Sequence, residues 1–537
     1  MKQSSAPLQE IISRVVLPDR KSIDRSPGFW TGLGTMQELN QRLANQPLLD
    51  FINYNLRGIG QVIFVNNPLS GGLILLALFI QSPWVGLMSL LGVISSTVTA
   101  IALRLDRDNI RNGIYGYNGI LVGAALATFG SEMNLAWAIA ILICSALTTV
   151  MLRTFGVWWA STFNSPPLTL PFNLVTLLFL GLVTLIPQSV FELVTAGNSI
   201  SVPLQASRLV TSLPINFGQV FLADNLIAGS LILLAVVICT PLGAAVGLVG
   251  LFFGIATALT LNIVPNDIYV GLWGYNSLLA AMAIGGIFYA PNFRSVLLGA
   301  ACAFFSALAI PIVEIATQPL GLPVLTLPFC IVTIGCFILI GRSIPSLVPV
   351  ALYAVTTPEE HRERYLIAKD IIGNFRRQLE IVIGGKGRNF MFDRADEATK
   401  GDLRYIFEAI DSDRSGELST AELAIYLNQT KPTITNNELN YLFKSMDRDG
   451  NGKIDFKEFG ELMLRHRRLM TKHDAFMTYF LPIDADGDDR ISIEEMNSAM
   501  NSVGETKLTR EEIDFLQRRS NSQSFTWNQF TELLLLT

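Results

Sequence analysis

Oxygen-bearing side chains recur at a fixed spacing in three stretches near the C-terminal end of the chain. The stretches are DSDRSGELSTAE from residue 411, DRDGNGKIDFKE from residue 447 and DADGDDRISIEE from residue 484. Each offers oxygens at loop positions 1, 3, 5, 7, 9 and 12, with the backbone carbonyl used at position 7, and calcium binds six to eight oxygens. The pattern therefore predicts calcium as a cofactor. The predicted ligands are Asp411, Asp413, Ser415, Glu417, Ser419, Glu422, Asp447, Asp449, Asn451, Lys453, Asp455, Glu458, Asp484, Asp486, Asp488, Arg490, Ser492 and Glu495.

These loops have the spacing of EF-hands, but they differ at the sharp turn. Gly416 and Gly452 occupy the turn of the first two loops, whereas Asp489 replaces glycine in the third, so we expect weaker binding there. Residues 518–529 resemble a fourth hand without carboxylates, and we expect this hand to pair with the third without binding metal. The tail is predicted to act either as a calcium sensor for the rest of the chain or as a buffer.

A second set of motifs is repeated within the apolar part of the chain. GQVIFVNNPLSGGLILLA from residue 60 returns as GQVFLADNLIAGSLILLA from residue 218, and a Gly-Tyr-Asn segment occurs at residues 116–118 and 274–276. The segment LTLPF occurs at residues 168–172 and again at 325–329. Three ordered matches, 157 or 158 residues apart, indicate an internal duplication. Duplicated membrane folds place their substrate site at the interface of the repeats.

The repeated motifs set amide, hydroxyl and aromatic groups among apolar residues. We expect Gln61 and Phe64 to share one face of a short helix, and Tyr117 and Leu121 to lie one helical turn apart. The proline that follows Thr169 is expected to leave a backbone carbonyl unpaired. A narrow pathway of this kind suits a planar neutral molecule with several N–H donors, such as urea, and excludes ions, which would lose their hydration without compensation. The corresponding residues of the second copy are Gln219, Val220, Leu222, Tyr275, Leu279 and Thr326.

The elements that must position these motifs follow from composition. Half of the 537 residues are hydrophobic and only 15% are charged, and residues 58–103 and 225–266 carry no charge at all. Such stretches are long enough for about two membrane passes each. The sequence therefore predicts an all-α chain, with a polytopic membrane domain before the EF-hand domain. The predicted regions are a polar segment at 1–45, a membrane domain at 46–350 with repeats at about 46–195 and 205–350, an amphipathic linker helix within 351–395 and the EF-hand domain at 396–537.

Orientation can be argued from the number of crossings and from the charges. The apolar segments permit about five crossings in each repeat, and an odd number would invert the two copies and place both termini on one side. Arginines that follow the last crossing, such as Arg362 and Arg376, favour the cytoplasm for that side. We therefore expect an integral protein of a plasma or inner membrane with cytoplasmic termini.

The motifs NNPLSGGLILLALFIQSPW, DRDNIRNGIYGYNG, the paired GYN segments and the two LPF segments resemble those of the urea transporter family over about residues 55–350. The resemblance implies a passive urea channel with two inverted repeats of about five membrane helices and one pore helix each, assembled as a homotrimer. It also implies one urea path in each subunit, with Thr169 and Thr326 at its centre. One departure is Leu222, which stands where an aromatic residue would complete a sandwich with Phe64. The implied path residues are Gln61, Phe64, Tyr117, Leu121, Thr169, Gln219, Val220, Leu222, Tyr275, Leu279 and Thr326.

Alternative functions remain open at the level of sequence. A coupled transporter of ammonium or of another small amide would need a buried carboxylate, for which Asp224 and Glu314 are the candidates. The position of Asp224, equivalent to that of Asn66, favours a structural hydrogen-bonding role. A calcium-responsive membrane scaffold without transport is the third possibility. The membrane region offers no nucleophile and base pair, so we expect no enzyme activity, and we predict no nucleic acid partner.

Overall fold

The structure is a computed structural model that describes residues 34–163, 165–185, 191–193, 202–340, 347, 349–350, 355–383, 390–430, 443, 446–447, 450–471, 490–502, 505–520 and 524–526. Helices dominate these residues, and the strands are limited to two short pairs. The described residues form two compact units, one within Gly28–Glu363 and one within Arg364–Thr537. The all-α class predicted from the sequence is confirmed.

The first unit contains two successive series of helices. The first series is Gln37–Arg42, Pro47–Gln61, Pro68–Gln81, Pro83–Ala102, Arg107–Arg111, Tyr117–Phe129, Leu135–Met151, Val157–Phe163 and Leu170–Val183, with a π-helical segment at Leu152–Gly156. The second series is Ala206–Gln219, Leu226–Cys239, Pro241–Thr260, Pro265–Tyr269, Tyr275–Met282, Phe293–Thr317 and Leu327–Leu339, with a π-helical segment at Ala283–Ile287 and a 3₁₀ segment at Gln318–Leu320.

The two series repeat the same backbone design. Helices that begin at Pro68, Pro83, Tyr117 and Leu135 have counterparts that begin 158 residues later, at Leu226, Pro241, Tyr275 and Phe293. Left-handed backbone also recurs in pairs of non-glycine residues. These pairs are Phe64 and Leu222, Arg104 and Asn262, and Leu168 and Leu325. The duplication seen in the sequence is therefore a duplication of structure.

Local sequence explains where these helices begin. The Asn67 side chain accepts hydrogen bonds from the backbone N–H groups of Leu69 (2.8 Å) and Ser70 (3.1 Å), and Pro68 follows it. In the second series Asn225 accepts from Ile227 at 2.8 Å in the same way. An asparagine cap satisfies donors that have no partner inside the helix, and proline tolerates the first helical position.

The surface of the first unit is strongly apolar. Four helical segments are long and apolar enough to cross a membrane, namely Pro83–Ala102, Leu135–Phe163, Pro241–Thr260 and Phe293–Leu320. Several shorter apolar helices, such as Leu170–Val183 and Leu327–Leu339, accompany them. Large side chains such as Leu178 and Phe305 are exposed on these helices. An apolar exterior of this kind is typical of a polytopic membrane protein.

Glycines allow close contact between helices at equivalent places in the two series. A Cβ atom added to Gly71 would lie 1.9 Å from the Leu56 carbonyl oxygen, and one added to Gly229 would lie 2.3 Å from the Pro214 carbonyl oxygen. In the first series this contact joins helix Pro47–Gln61 to helix Pro68–Gln81, and in the second it joins helix Ala206–Gln219 to helix Leu226–Cys239. The first helix of each pair ends within the repeated motif, and the second begins within it. The position of the motif thus depends on a backbone contact that only glycine permits.

The second unit contains the predicted linker helix and the EF-hand elements. Helix Pro358–Ile383 confirms the amphipathic helix expected there, since Ala368, Ile372, Phe375 and Leu379 recur at helical spacing and are buried. The sequence GGKGRN at 384–389 predicts a flexible joint after this helix, and these residues lie outside the described part of the chain. The remaining helices are Phe390–Arg394, Glu397–Ile410, Thr420–Thr430, Phe456–Thr471, Ile493–Ser502 and Arg510–Ser520.

Two antiparallel strand pairs join the EF-hand loops. Glu417–Leu418 (β1) pairs with Ile454–Asp455 (β2), which links the first loop to the second. Arg490–Ser492 (β3) pairs with Ser524–Thr526 (β4). The expected pairing of the third hand with residues 518–529 is therefore confirmed.

Candidate functional site

The two repeated glutamines end the helices that carry them, and each makes the same contact. Gln61 Nε2 donates to the Asn112 carbonyl at 2.9 Å, and Gln219 Nε2 donates to the Val270 carbonyl at 2.7 Å. The acceptor residues are themselves 158 positions apart. Each amide is therefore held by a backbone oxygen that belongs to its own repeat.

The prediction that Gln61 and Phe64 share one face of a helix is wrong. Helix Pro47–Gln61 ends at Gln61, and Phe64 has a left-handed backbone with a φ of 62°. The helix ends there because the Val65 N–H donates to the Gly60 carbonyl across the turn (3.0 Å), a pattern that closes helices at a left-handed residue. The turn directs the Phe64 ring to Phe288 and Phe329, with centroid distances of 5.9 and 6.3 Å.

The second copy makes the same turn with different side chains. Leu222 has a φ of 59°, and the Ala223 N–H donates to the Gly218 carbonyl at 3.1 Å. Leu222 is half-buried, whereas Val220 is buried at the end of helix Ala206–Gln219. The turns at Phe64 and Leu222 therefore have the same backbone conformation but different side chains.

The repeated tyrosines bind the start of the LTLPF segments. Tyr117 donates its hydroxyl to the Leu168 carbonyl at 2.8 Å, and Tyr275 donates to the Leu325 carbonyl at 2.5 Å. Tyr117 begins its helix, so Leu121 follows one turn later as expected, and Leu279 holds the same place after Tyr275. Both leucines are buried.

The prediction of an unpaired carbonyl beside the LTLPF proline is wrong in the first copy. Pro171 lies in the first turn of helix Leu170–Val183, where a missing N–H removes no bond within the helix. The carbonyl four residues earlier, that of Pro167, accepts from the Leu170 N–H at 3.1 Å. The prolines therefore start helices in both copies and do not interrupt them.

The two halves of the unit meet at the repeated threonines. Thr169 Oγ1 lies 2.7 Å from Thr326 Oγ1, and both side chains are buried. Thr169 Oγ1 is also 3.2 Å from Cys330 Sγ, and Asn173 Nδ2 donates to Thr326 Oγ1 at 2.9 Å. The structure thus brings together two residues predicted from separate copies and adds two that the prediction missed.

The missed residues were within reach of the sequence. Asn173 and Cys330 each follow an LTLPF segment directly, at equivalent positions of the two repeats. The asparagines of the two Gly-Tyr-Asn segments also serve this centre, since Asn118 Oδ1 accepts from the Phe172 N–H and Asn276 Oδ1 from the Phe329 N–H, each at 3.1 Å. They anchor the starts of the helices that follow the threonines.

Neither carboxylate considered for proton coupling is buried at this centre. Asp224 is exposed, and its Oδ1 accepts a hydrogen bond from Gln81 Nε2 at 2.9 Å. Gln81 Oε1 in turn accepts from the Asn225 N–H at 3.1 Å. Glu314 is exposed on helix Phe293–Thr317. The structural hydrogen-bonding role expected for Asp224 is confirmed.

The first calcium loop brings three carboxylates together. One oxygen each from Asp411, Asp413 and Glu422 lies within 4.8 Å of the others. Gly416 makes the turn with a φ of 82°. Ser415 donates its hydroxyl to the Glu417 carbonyl at 2.8 Å, the oxygen expected at loop position 7. This set of hard oxygen donors fits calcium.

Hydrogen bonds prepare the carboxylates of this loop for a cation. Ser419 donates both its N–H and its hydroxyl to Glu422, at 2.9 and 2.8 Å, and these bonds lower the pKa of the Glu422 carboxyl to about 2. Bonds from Ser415 lower the pKa of Asp413 as well. Both groups are ionised at neutral pH, so a metal would not compete with protons there.

The second and third loops are described in part. Asp447, Asn451, Asp455 and Glu458 are described, and the Glu458 N–H donates to Asp455 Oδ1 at 2.7 Å. Lys453, expected to offer its carbonyl, uses its side chain to bind Glu417 Oε2 at 2.7 Å. The other described ligands are Arg490, Ser492 and Glu495, with Ser492 donating its hydroxyl to Glu495 at 2.9 Å. The predicted ligands Asp449, Asp484, Asp486 and Asp488 lie outside the described residues.

The helix that follows the second loop also holds the linker. Glu461 is buried, and its Oε2 accepts from the N–H groups of Met391 (2.9 Å) and Phe392 (2.8 Å). A Cβ added to Gly460 would lie 2.3 Å from the Phe392 ring. Helix Phe390–Arg394 therefore packs on helix Phe456–Thr471 through two contacts. The Glu461 carboxylate binds the N-terminus of helix Phe390–Arg394, and the Phe392 ring lies against Gly460.

Comparisons with known proteins match two regions of the chain. Residues 52–341 match the family model described as urea transporter, and residues 400–464 match the one described as an EF-hand domain pair. The chain is 35% identical over 359 residues to urea transporter 1 of Ovis aries, across 65% of this chain and 91% of that protein. It is 35% identical over 345 residues to urea transporter 1 of Rattus norvegicus, across 62% of this chain and 88% of that protein.

The first match covers more than half of the chain, and it includes every motif at the centre described above. Together with the apolar helices, the matches identify an integral membrane protein with an EF-hand region in its tail. The chain belongs to the urea transporter family.

Proposed function

We propose that the chain is a passive urea channel whose path passes the contact between Thr169 and Thr326. The observation that carries the proposal is this contact, because it joins the same motif from two repeats through uncharged hydroxyls. Duplicated transporters use the interface of their repeats for substrate. The matching contacts of the glutamines and tyrosines extend the proposed path away from the centre in each repeat.

Urea fits the chemistry of this centre. Its N–H groups would meet hydroxyl and carbonyl oxygens, and its carbonyl would meet a hydroxyl donor. Leu121, Leu279 and Phe64 offer apolar surface for its flat faces. An ion would gain no opposite charge from the threonines, Asn173 or Cys330 in return for its lost hydration, so selectivity for neutral solutes follows.

Passive transport is favoured over coupled transport by the positions of Asp224 and Glu314. Both carboxylates are exposed, and Asp224 is engaged with Gln81. A proton-coupled mechanism would use a carboxylate that is buried beside the substrate. We also propose that the two repeats are inverted, that three chains assemble as a trimer and that both termini face the cytoplasm. The family resemblance supports the first two, and the arginines after the last crossing support the third.

Replacement of the paired threonines tests the proposal. In proteoliposomes, we expect Thr169→Val with Thr326→Val to lower the urea flux about tenfold or more, since a solute would lose hydrogen bonds worth roughly 1 kcal/mol each. Thr257→Val is the matched control, because the buried Thr257 hydroxyl donates only to Phe253 O, one turn back in its own helix. Stopped-flow or tracer measurements would give the fluxes.

Three outcomes would contradict this assignment or a part of it. A wild-type flux no greater than that of empty liposomes would favour the calcium-responsive scaffold without transport. A flux that follows the pH gradient or the membrane potential would favour the coupled transporter. An unchanged flux in the double valine variant would leave urea transport intact but remove the threonines from the path.

We further propose that the tail binds calcium and that its occupancy alters the flux. The support lies in helix Phe456–Thr471, which begins beside the ligand Glu458 and carries Glu461 one turn later. Glu461 binds the N–H groups of Met391 and Phe392. A shift of Glu458 toward calcium would therefore move the contact between helices Phe456–Thr471 and Phe390–Arg394. The linker is the covalent connection between the EF-hands and the membrane region.

Calcium dependence can be measured with the ion or a chelator on both sides of the membrane. We expect the wild-type flux to change between the two conditions by about threefold, a coupling free energy of roughly 0.7 kcal/mol. Phe392→Ala is expected to remove that change while calcium binding persists, and Met391→Ala is its neighbouring control. Equal wild-type fluxes in both conditions would show that the module is a buffer.

A further inference from the structure

The centre of the proposed path is chemically unequal on its two sides. Asn173 and Cys330 occupy equivalent positions, 157 residues apart, four residues after Thr169 and Thr326. Each lies in the first turns of its helix, and each is fully buried. One repeat therefore offers an amide where the other offers a thiol.

Backbone partners fix the orientation of the Asn173 amide. Its Oδ1 accepts from the Thr326 N–H at 3.1 Å, and its Nδ2 donates to the Thr169 carbonyl at 2.8 Å. In a flipped amide, Nδ2 would face the Thr326 N–H and Oδ1 would face the Thr169 carbonyl oxygen. Neither pair can form a hydrogen bond, so the flipped amide is excluded. The second hydrogen of Nδ2 faces Thr326 Oγ1 at 2.9 Å, which is nearer than Cys330 Sγ at 3.7 Å.

This donation gives the contact between the hydroxyls a direction. A hydroxyl that already accepts a hydrogen bond becomes a better donor in turn. In the order that this effect favours, Thr326 is the donor to Thr169 across 2.7 Å, and Thr169 is the donor to Cys330 Sγ across 3.2 Å. The series ends on sulfur, which is a weak acceptor.

We propose that Asn173 is a positioning residue that orients the two threonines, and that Cys330 is the weak partner that leaves the Thr169 hydroxyl free to donate to the solute. The proposal rests on the proposed function and assigns its two central hydroxyls different parts. Thr326 is held by Asn173, whereas Thr169 exchanges sulfur for the carbonyl oxygen of urea at little cost. The weakness of the sulfur contact is what the pathway requires at this position.

Two substitutions of Cys330 test this directly. Cys330→Ser keeps the size of the side chain and replaces sulfur with a strong acceptor, so it should hold the Thr169 proton and lower the urea flux about three- to tenfold. Cys330→Ala removes the acceptor and should conduct urea faster than Cys330→Ser. If packing alone mattered, the order would be reversed, because serine fills the site better than alanine.

The part of Asn173 is tested in the same assay. In the Asn173→Ala background nothing orients the hydroxyls, so the difference between the Cys330→Ser and Cys330→Ala chains should disappear. Elution profiles and melting temperatures identify any chain that does not fold. If the Asn173→Ala chains do not fold, the two Cys330 variants in the wild-type background decide the proposal alone.

The outcomes separate this inference from the function on which it rests. If the wild type conducts urea but Cys330→Ala is slower than Cys330→Ser, or equal to it, the inference is overturned. Urea transport by the chain would then still stand. A wild-type flux equal to that of empty liposomes would overturn both.

Discussion

Gly71→Ala is expected to prevent the membrane unit from folding. The added Cβ would lie 1.9 Å from the Leu56 carbonyl oxygen, a backbone atom that can retreat only if helices Pro47–Gln61 and Pro68–Gln81 separate. Overpacking of this kind costs about 3 kcal/mol or more when no flexible side chain can yield. The expected result is loss of the monodisperse species in detergent and a large fall in melting temperature.

The adjacent glycine provides the control. Gly72 has nothing within 4 Å of an added Cβ, so Gly72→Ala should fold normally and gain up to roughly 1 kcal/mol from helix propensity. Gly229→Ala, at the equivalent contact of the second repeat, should resemble Gly71→Ala. Normal folding of Gly71→Ala would show that the helices do not approach as closely as described.

Arg57→Met is expected to destabilise the membrane unit by about 4 kcal/mol. The Arg57 side chain is fully buried and donates to four residues. Its Nη1 bonds to Thr35 O at 2.7 Å and to both Asn66 oxygens at 2.9 Å, its Nη2 bonds to Met36 O at 2.8 Å, and its Nε bonds to Asn53 Oδ1 at 3.2 Å. Methionine fills the space but makes none of these hydrogen bonds.

Matched variants separate charge from geometry at this site. Arg57→Lys keeps the charge but cannot reproduce the planar guanidinium. We therefore expect its stability to lie between that of the wild type and that of Arg57→Met. Ile215 stands at the equivalent position of the second repeat, and Ile215→Met should have little effect. Melting temperatures in detergent would rank the chains. If Arg57→Met were as stable as Ile215→Met, the hydrogen bonds of Arg57 would not hold this region together.

The sequence was informative where chemistry follows directly from spacing. The first calcium loop needs its oxygens at set positions, and the structure brings Asp411, Asp413 and Glu422 together. The internal duplication also predicted that Thr169 and Thr326 are equivalent. The structure shows that the two threonines are in contact across the repeats.

Backbone turns and hydrogen-bond partners were harder to predict. Helical spacing placed Phe64 beside Gln61, but the helix ends at Gln61 and Phe64 itself is left-handed, a conformation of which a phenylalanine side chain gives little sign. The LTLPF prolines were expected to leave a carbonyl unpaired, but each lies in the first turn of a helix. Asn173 and Cys330 were not predicted because each contacts a threonine of the opposite repeat, which only the folded chain brings near.

The short strands between the first two calcium loops have a consequence for how the tail would respond to rising calcium. Because β1 pairs with β2, and Lys453 of one loop binds Glu417 of the other, ordering either loop also orders its neighbour. The first ion bound would then lower the entropic cost of the second. Occupancy would rise over a narrow range of concentration, and the tail would act as a threshold detector in place of a graded one.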